Sequence, residues 1–209
     1  MLHEMLDFFG RAICHQLEER SLQISGETLS VCARDTGIYI GIFSSLTYLH
    51  LTKRKLKITI PTIKVSFFLL LLMVPMMVDG LGSYLHWFES DNIKRLVSGT
   101  SFGFVLPYFL YPLLSSKSLD NDSEPVVKGS WDLIVPMILS VIISVVVYWG
   151  MVPYYAINSF IIVTIIIWFS MFASGLFQWV HNQRLRRIIS TFIGLCILIF
   201  LSNLHLWVL

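Results

Sequence analysis

Charge is what this sequence has least of. Only 13% of its 209 residues are Asp, Glu, Lys or Arg, against 56% hydrophobic, and the mean hydropathy is +0.74. A soluble domain of this size carries about a quarter charged residues, so a water-soluble domain is excluded, and no basic patch suited to nucleic acid is present. Cysteine is nearly as sparse, with three residues and no CxxC pair. No nucleophile motif, phosphate-binding loop, haem motif, HExxH or internal repeat appears. The opening residues MLHEMLDFFGRAICHQ lack a basic leader and an unbroken apolar core, since Glu4 and Asp7 fall where that core should lie. This is not the pattern of a cleavable signal peptide.

The hydrophobic residues are gathered into runs long enough to cross a bilayer, which takes ~20 apolar residues per helix. Six spans are expected, at 36–52, 61–79, 96–116, 133–152, 157–180 and 188–207. The first is short and carries Ser44, Ser45 and Thr47. The fourth and fifth are rich in Ile and Val, but their length decides for helices over strands. Pro75, Pro107, Pro112 and Pro136 are tolerable if neighbouring helices satisfy the freed carbonyls. The reading is an all-α polytopic membrane protein with about six transmembrane helices and an N-terminal amphipathic helix. Its expected divisions are a tail at 1–35, helices one to three at 36–116, a loop at 117–131 and helices four to six at 132–209.

Orientation follows from the basic loops. Lys53, Arg54, Lys55 and Lys57 follow span one, and Arg184, Arg186 and Arg187 follow span five. With six spans both loops share a side, which the positive-inside rule makes cytoplasmic. The tail, with six acidic and three basic residues in 1–35, then faces out of the cytoplasm, as does the loop after span two. A plasma-membrane protein with an extracytoplasmic N-terminus is expected.

Within the tail, Leu2, Met5, Leu6, Phe9, Ile13 and Leu17 recur at helical spacing, predicting an amphipathic helix over 2–17 that lies on the bilayer or packs on the spans. Cys14 and Cys32 admit three readings. An extracytoplasmic disulfide would close a loop of about 18 residues, worth ~3 kcal/mol in the chain-entropy model. A divalent metal such as zinc could take Cys14, His15, Cys32 and Asp35, provided the helix ends at Cys14, because adjacent helical side chains diverge. The thiols could also stay free. At the second motif, Asp79 closes span two, and Asn92 and Arg95 share a face at the start of span three. Asp79 is a candidate acid, base or ligand; Asn92 and Arg95 are candidate catalytic positioning groups; Arg34 and Arg95 are candidates for holding a substrate or lipid phosphate. An Asp79–Arg95 pair across the helices is expected. Asn158, Gln178, Asn203 and His205 read as interhelical hydrogen bonders or span ends, and Cys196 as a small buried hydrophobe.

Taken together, Cys14-His15-Gln16, Glu19-Arg20-Ser21, Val31-Cys32-Ala33-Arg34, Thr36 through Gly41, Asp79-Gly80, Asn92, Arg95 and Ser98-Gly99 carry a resemblance. They are similar to an uncharacterised family of predicted bacterial and archaeal membrane proteins. Its pattern runs CHQ-x-x-ERS, VCARCTGIYIG, then DG, N-x-x-R and TG, and the resemblance covers roughly residues 12–104. The family's pattern implies one His and three Cys, a tetrahedral metal set, but Asp35 stands here for the second Cys of VCARC. Ser83 and Phe88 replace an expected Gln and Arg. The chain thus resembles a divergent member, and the family implies no reaction. Three functions follow as expectations: a metal-, thiol- or lipid-headgroup-handling site at the outer face, a non-catalytic subunit docking a membrane-protein partner, or a transporter, which would need polar residues that spans four to six lack.

Overall fold

A computed structural model describes residues 2–53, 57–114, 123–180 and 182–208. Arg54 and Lys55 of the first basic loop, and residues 117–122 of the expected 117–131 loop, lie outside the described residues. The chain forms two units, Met1–Cys32 with Trp149–Leu209, and Ala33–Tyr148.

The first unit begins with helix α1, Leu2–Arg11, six residues shorter than the expected 2–17. The chain leaves it at Ala12, and Gln16 takes a left-handed φ of 56°, which ends helical continuation before Leu17. After a 3-10 turn at Glu18–Arg20, strands β1 (Ser21–Ile24) and β2 (Glu27–Cys32) form an antiparallel hairpin. This hairpin was not anticipated. Its signal is Ser25-Gly26, both at positive φ (55° and 83°), flanked by the buried Leu22, Ile24, Leu29 and Val31. Two left-handed residues make the tight turn whose twist suits a hairpin. Helices α6 (Tyr154–Leu176) and α7 (Gln183–Val208) complete the unit. α1 packs on α6, α7 and β2, and Ser202 of α7 donates to the Phe8 carbonyl at 2.7 Å.

The second unit contains α2 (Ala33–Lys53), α3 (Ile63–Tyr84), α4 (Asn92–Leu113) and α5 (Trp131–Tyr148). All six long helices therefore form where six spans were expected, and five of them, α3 to α7, are long and apolar enough to cross a membrane. α2 is the exception, and its surroundings explain why. Thr36, Ser44 and Ser45 are buried, and the two serines donate to the Ile40 and Gly41 carbonyls at 2.8 Å. A helix enclosed by protein has no need of an apolar lipid-facing surface. Several boundaries also move, because polar caps extend the helices beyond the apolar runs. α4 starts at Asn92 because the Asp91 carboxylate accepts the Lys94 N–H at 2.7 Å, an N-cap. That hydrogen bond holds the Asp91 carboxyl below the usual carboxylate range. α7 starts early for the same reason, with Asn182 Oδ1 accepting from Arg184 and Leu185 N–H.

α2 and α4 make the most extensive helix contact of the chain, and glycines make it possible. A methyl at Gly37 would meet the Leu96 carbonyl, at Gly41 the Phe104 amide and Thr100 carbonyl, at Gly99 the Arg34 carbonyl, and at Gly103 the Ile38 carbonyl. The pairs Gly37/Gly41 and Gly99/Gly103 are each four apart, the small-residue spacing by which membrane helices approach closely. Ser101 of α4 donates at 2.5 Å to the Leu72 carbonyl of α3, in the turn that Pro75 disturbs. Opposite the α2 N-terminus, short strands β3 (Ile58–Thr59) and β4 (Glu124–Pro125) pair in parallel, tying the chain after α2 to the chain before α5 at one end of this unit. There Asp132 is buried, accepting from Lys53 Nζ at 2.9 Å, Tyr48 hydroxyl at 2.8 Å and Lys128 N–H at 2.8 Å. Leu49, Ile58, Leu69, Phe104, Val105, Tyr108, Val126 and Val127 pack beside it as this unit's core.

Replacing Gly103 by Ala should lower the thermal unfolding midpoint in detergent, by an overpacking cost of about 1–3 kcal/mol. Gly129→Ala, whose added methyl meets nothing within 4 Å, should leave the midpoint near the wild-type value.

Candidate functional site

Two groups of the candidate residues are assembled, one in each unit. In the first unit the hairpin and the reversal at Gln16 bring Cys14 and Cys32 together. The Cys32 N–H donates to Cys14 Sγ at 3.2 Å, and the two sulfurs lie within 4.8 Å of each other. Cys14 is buried and Cys32 half-buried. Two thiolates on one tetrahedral zinc ion sit about 3.8 Å apart, given Zn–S of ~2.3 Å, so a small rotation fits the pair to a metal. Asp35 lies in the first turn of α2, three residues beyond Cys32 along the chain. His15 is turned elsewhere. Although α1 has already ended, His15 does not join Cys14, and its ring meets His205 edge-on with centroids 4.4 Å apart.

A polar network that the sequence reading did not identify holds this arrangement. Gln16 Nε2 donates to the Asp7 carbonyl (2.8 Å) and the Ser30 carbonyl (3.0 Å), clipping α1 to β2. Ser30 Oγ donates to Asp7 Oδ1 at 2.5 Å and accepts from the buried Asn158 at 2.6 Å. His3 Nδ1 lies 2.7 Å from Asp7 Oδ2. Asn158 was expected to bond between helices; it donates instead to Ser30 of strand β2 and to the Tyr154 hydroxyl of its own helix, and Gln16 of CHQ has a positioning role. Gly10 seats directly on Ser30, so any side chain there would lift α1 off the hairpin.

In the second unit the centre is Asp79, 6% exposed. α3 runs past the expected end at 79 to Tyr84, so Asp79 lies within the helix. Arg95 was one candidate partner; the ion pair the structure shows is with Arg34, whose Nη2 lies 2.5 Å from Asp79 Oδ2. The cause is the glycine contact. Gly99 admits the Arg34 backbone against α4, which carries the Arg34 side chain across to α3. Ser90 donates to Asp79 Oδ1, and Ser98 Oγ lies 3.4 Å from Oδ2. Neither serine was singled out as a partner, although Ser98 belongs to the quoted Ser98-Gly99. Asn92 and Arg95 occupy the first turn of α4, where Arg95 is buried. Phe88 packs on Gly82, and the Trp87 N–H reaches the Gly82 carbonyl at 2.9 Å, which holds the loop carrying Ser90. The result is a buried carboxylate with both oxygens engaged, and a guanidinium anchored at the helix end it shares with Asn92 and Arg95.

Comparison with known proteins bears on the same residues. The family model described as "Predicted membrane protein (DUF2085)" matches residues 14–109, starting at Cys14 and ending within α4. An uncharacterized protein of Methanothermobacter thermautotrophicus is 36% identical over 93 residues, 44% of this chain and 79% of that protein. The chain belongs to this family. A second uncharacterized relative, from Methanocaldococcus jannaschii, is 33% identical over 101 residues, 48% of this chain. The match spans 63% of that relative's own length. Both relatives are archaeal. No solved structure matches the chain. The DUF2085 match takes in α2, α3 and most of α4 as well as the hairpin, and stops before α5 to α7.

Arg34→Ala should destabilise the protein by about 3–5 kcal/mol, because it strands a buried carboxylate. Adding Asp79→Asn to that variant should restore more than half of the lost thermal stability, measured as unfolding midpoints in detergent.

Proposed function

We propose that this membrane protein binds a divalent metal ion, zinc by the softness of its donors, at the Cys14–Cys32 thiol pair on the extracytoplasmic face of the plasma membrane. The observation that carries this reading is the meeting of two sulfurs, with a backbone N–H on one of them, at the residue where the family match begins. Asp35, one helical turn past Cys32 along the chain, supplies an oxygen donor, and a solvent or substrate ligand completes four-coordination. An oxygen in place of the family's third thiolate leaves a harder, weaker site for a soft metal. Arg34, Asn92 and Arg95 are the groups that would orient a polar substrate or headgroup, with Asp79 anchoring Arg34. The orientation rests on Lys53, Lys57, Arg184, Arg186 and Arg187 lying towards the cytoplasm.

Metal analysis of purified, folded protein tests the first part. About one equivalent of zinc is expected, lost in Cys14→Ser and Cys32→Ser and kept in Cys196→Ser. A folded wild type without metal, and with a mass two hydrogens below the reduced chain, would establish a disulfide in place of a metal site. For orientation, intact cells expressing the Cys196→Ser variant are treated with chelator and reductant. A membrane-impermeant maleimide should then label Cys14 or Cys32; labelling only after lysis reverses the topology.

A further inference from the structure

Beyond Asp132 the sequence contains no acidic residue. α6 and α7 therefore have no carboxylate of their own, yet α7 opens with Arg184, Arg186 and Arg187. The acids of the first unit are Glu4, Asp7, Glu18, Glu19 and Glu27, all in its N-terminal segment. That segment docks at the other end of α7, where Ser202 reaches Phe8 and His205 meets His15. Arg184 and Ser202 are separated by about 18 residues, roughly 27 Å of helix rise. This is well beyond the ~8–10 Å over which exposed charges interact at ordinary ionic strength. Among the described residues none of the three guanidiniums pairs with a carboxylate, and Arg186 Nε is buried without a hydrogen-bond partner.

The arrangement is also unfavourable within the helix. Three cations crowd the positive end of the α7 macrodipole, where anions belong, and its first turn holds no acid. Asn182 already accepts the Arg184 and Leu185 N–H groups, so what this helix end lacks is negative charge. Arg184 and Arg187 are exposed. Trp179, in the connection between α6 and α7, is 75% exposed, and Leu176 at the end of α6 is exposed too, the pattern of residues at headgroup level.

We infer that the first turn of α7, with Trp179, binds the phosphate of an anionic phospholipid in the leaflet at this end of the helix. Guanidiniums suit phosphate through paired N–H donors, the lipid supplies the negative charge this end of α7 lacks, and the indole rests against its glycerol and upper acyl region. The site is independent of the thiol pair and lies outside the family match.

The test uses the full chain in detergent, titrated with phosphatidylglycerol, phosphatidylcholine or inorganic phosphate and read by native mass spectrometry and thermal unfolding. Phosphatidylglycerol should be retained at least tenfold more than phosphatidylcholine and should raise the unfolding midpoint. Arg184→Gln with Arg187→Gln removes two exposed charges, each worth about fivefold. The double variant should lose tenfold or more of the retained lipid while keeping its fold and its metal content. Equal retention of the two lipids, or undiminished retention by the double variant, overturns the inference. Stabilisation by inorganic phosphate as large as that by the lipid overturns it too, since the ligand would then be a soluble anion.

Discussion

The backbone contact between α2 and α4 is the constraint from which the second unit is built. Water does not drive helices together inside a bilayer, so association rests on van der Waals contact and hydrogen bonds. Gly37, Gly41, Gly99 and Gly103 each face a backbone atom of the other helix at a distance no side chain would permit. The contact encloses α2, which is why a helix with Thr36, Ser44 and Ser45 along it is stable among far more apolar neighbours. It also delivers Arg34 to Asp79. Without the approach at Gly99, the guanidinium would remain on the α2 side of the unit, away from the Asp79 carboxylate.

The same helix is pinned at its far end by a second buried ion pair, Lys53 with Asp132. Tyr48 and two loop amides complete the Asp132 carboxylate, and Tyr108 binds the Asp132 backbone carbonyl. Asp79, Lys53 and Asp132 are therefore each paired and hydrogen-bonded, the condition under which ions are tolerated in a low-dielectric interior. The two clusters differ in what surrounds them. Asp132 is enclosed by loop backbone and the apolar core. Asp79 lies with Arg34, Asn92 and Arg95 at the end where Cys32 hands the chain to α2.

In the first unit, polar contacts do what apolar packing does elsewhere. Of the α1 residues only Leu6 and Gly10 are buried, so the helix is held by Asp7, Gln16 and Ser30 as much as by its apolar stripe. The CHQ motif reads differently in this light. Cys14 turns inward to the hairpin, His15 to His205, and Gln16, in its left-handed conformation, ties α1 to β2. Three adjacent residues take three directions although the helix has ended before them.

From the sequence alone, apolar run length determined the membrane class and the existence of all six long helices, and the spaced motif residues determined the family. The N-caps Asp91 and Asn182, the Ser25-Gly26 hairpin turn and the two glycine pairs were equally legible as local chemistry, but hydropathy is blind to all of them. Tertiary structure decided the rest. Arg34 and Asp79 are 45 positions apart, and Cys14 and Cys32 18. Helical periodicity could place Arg95 at the right depth to meet Asp79, but not weigh it against Arg34. That choice belongs to how closely two backbones approach, a property of the packed pair that neither segment carries by itself.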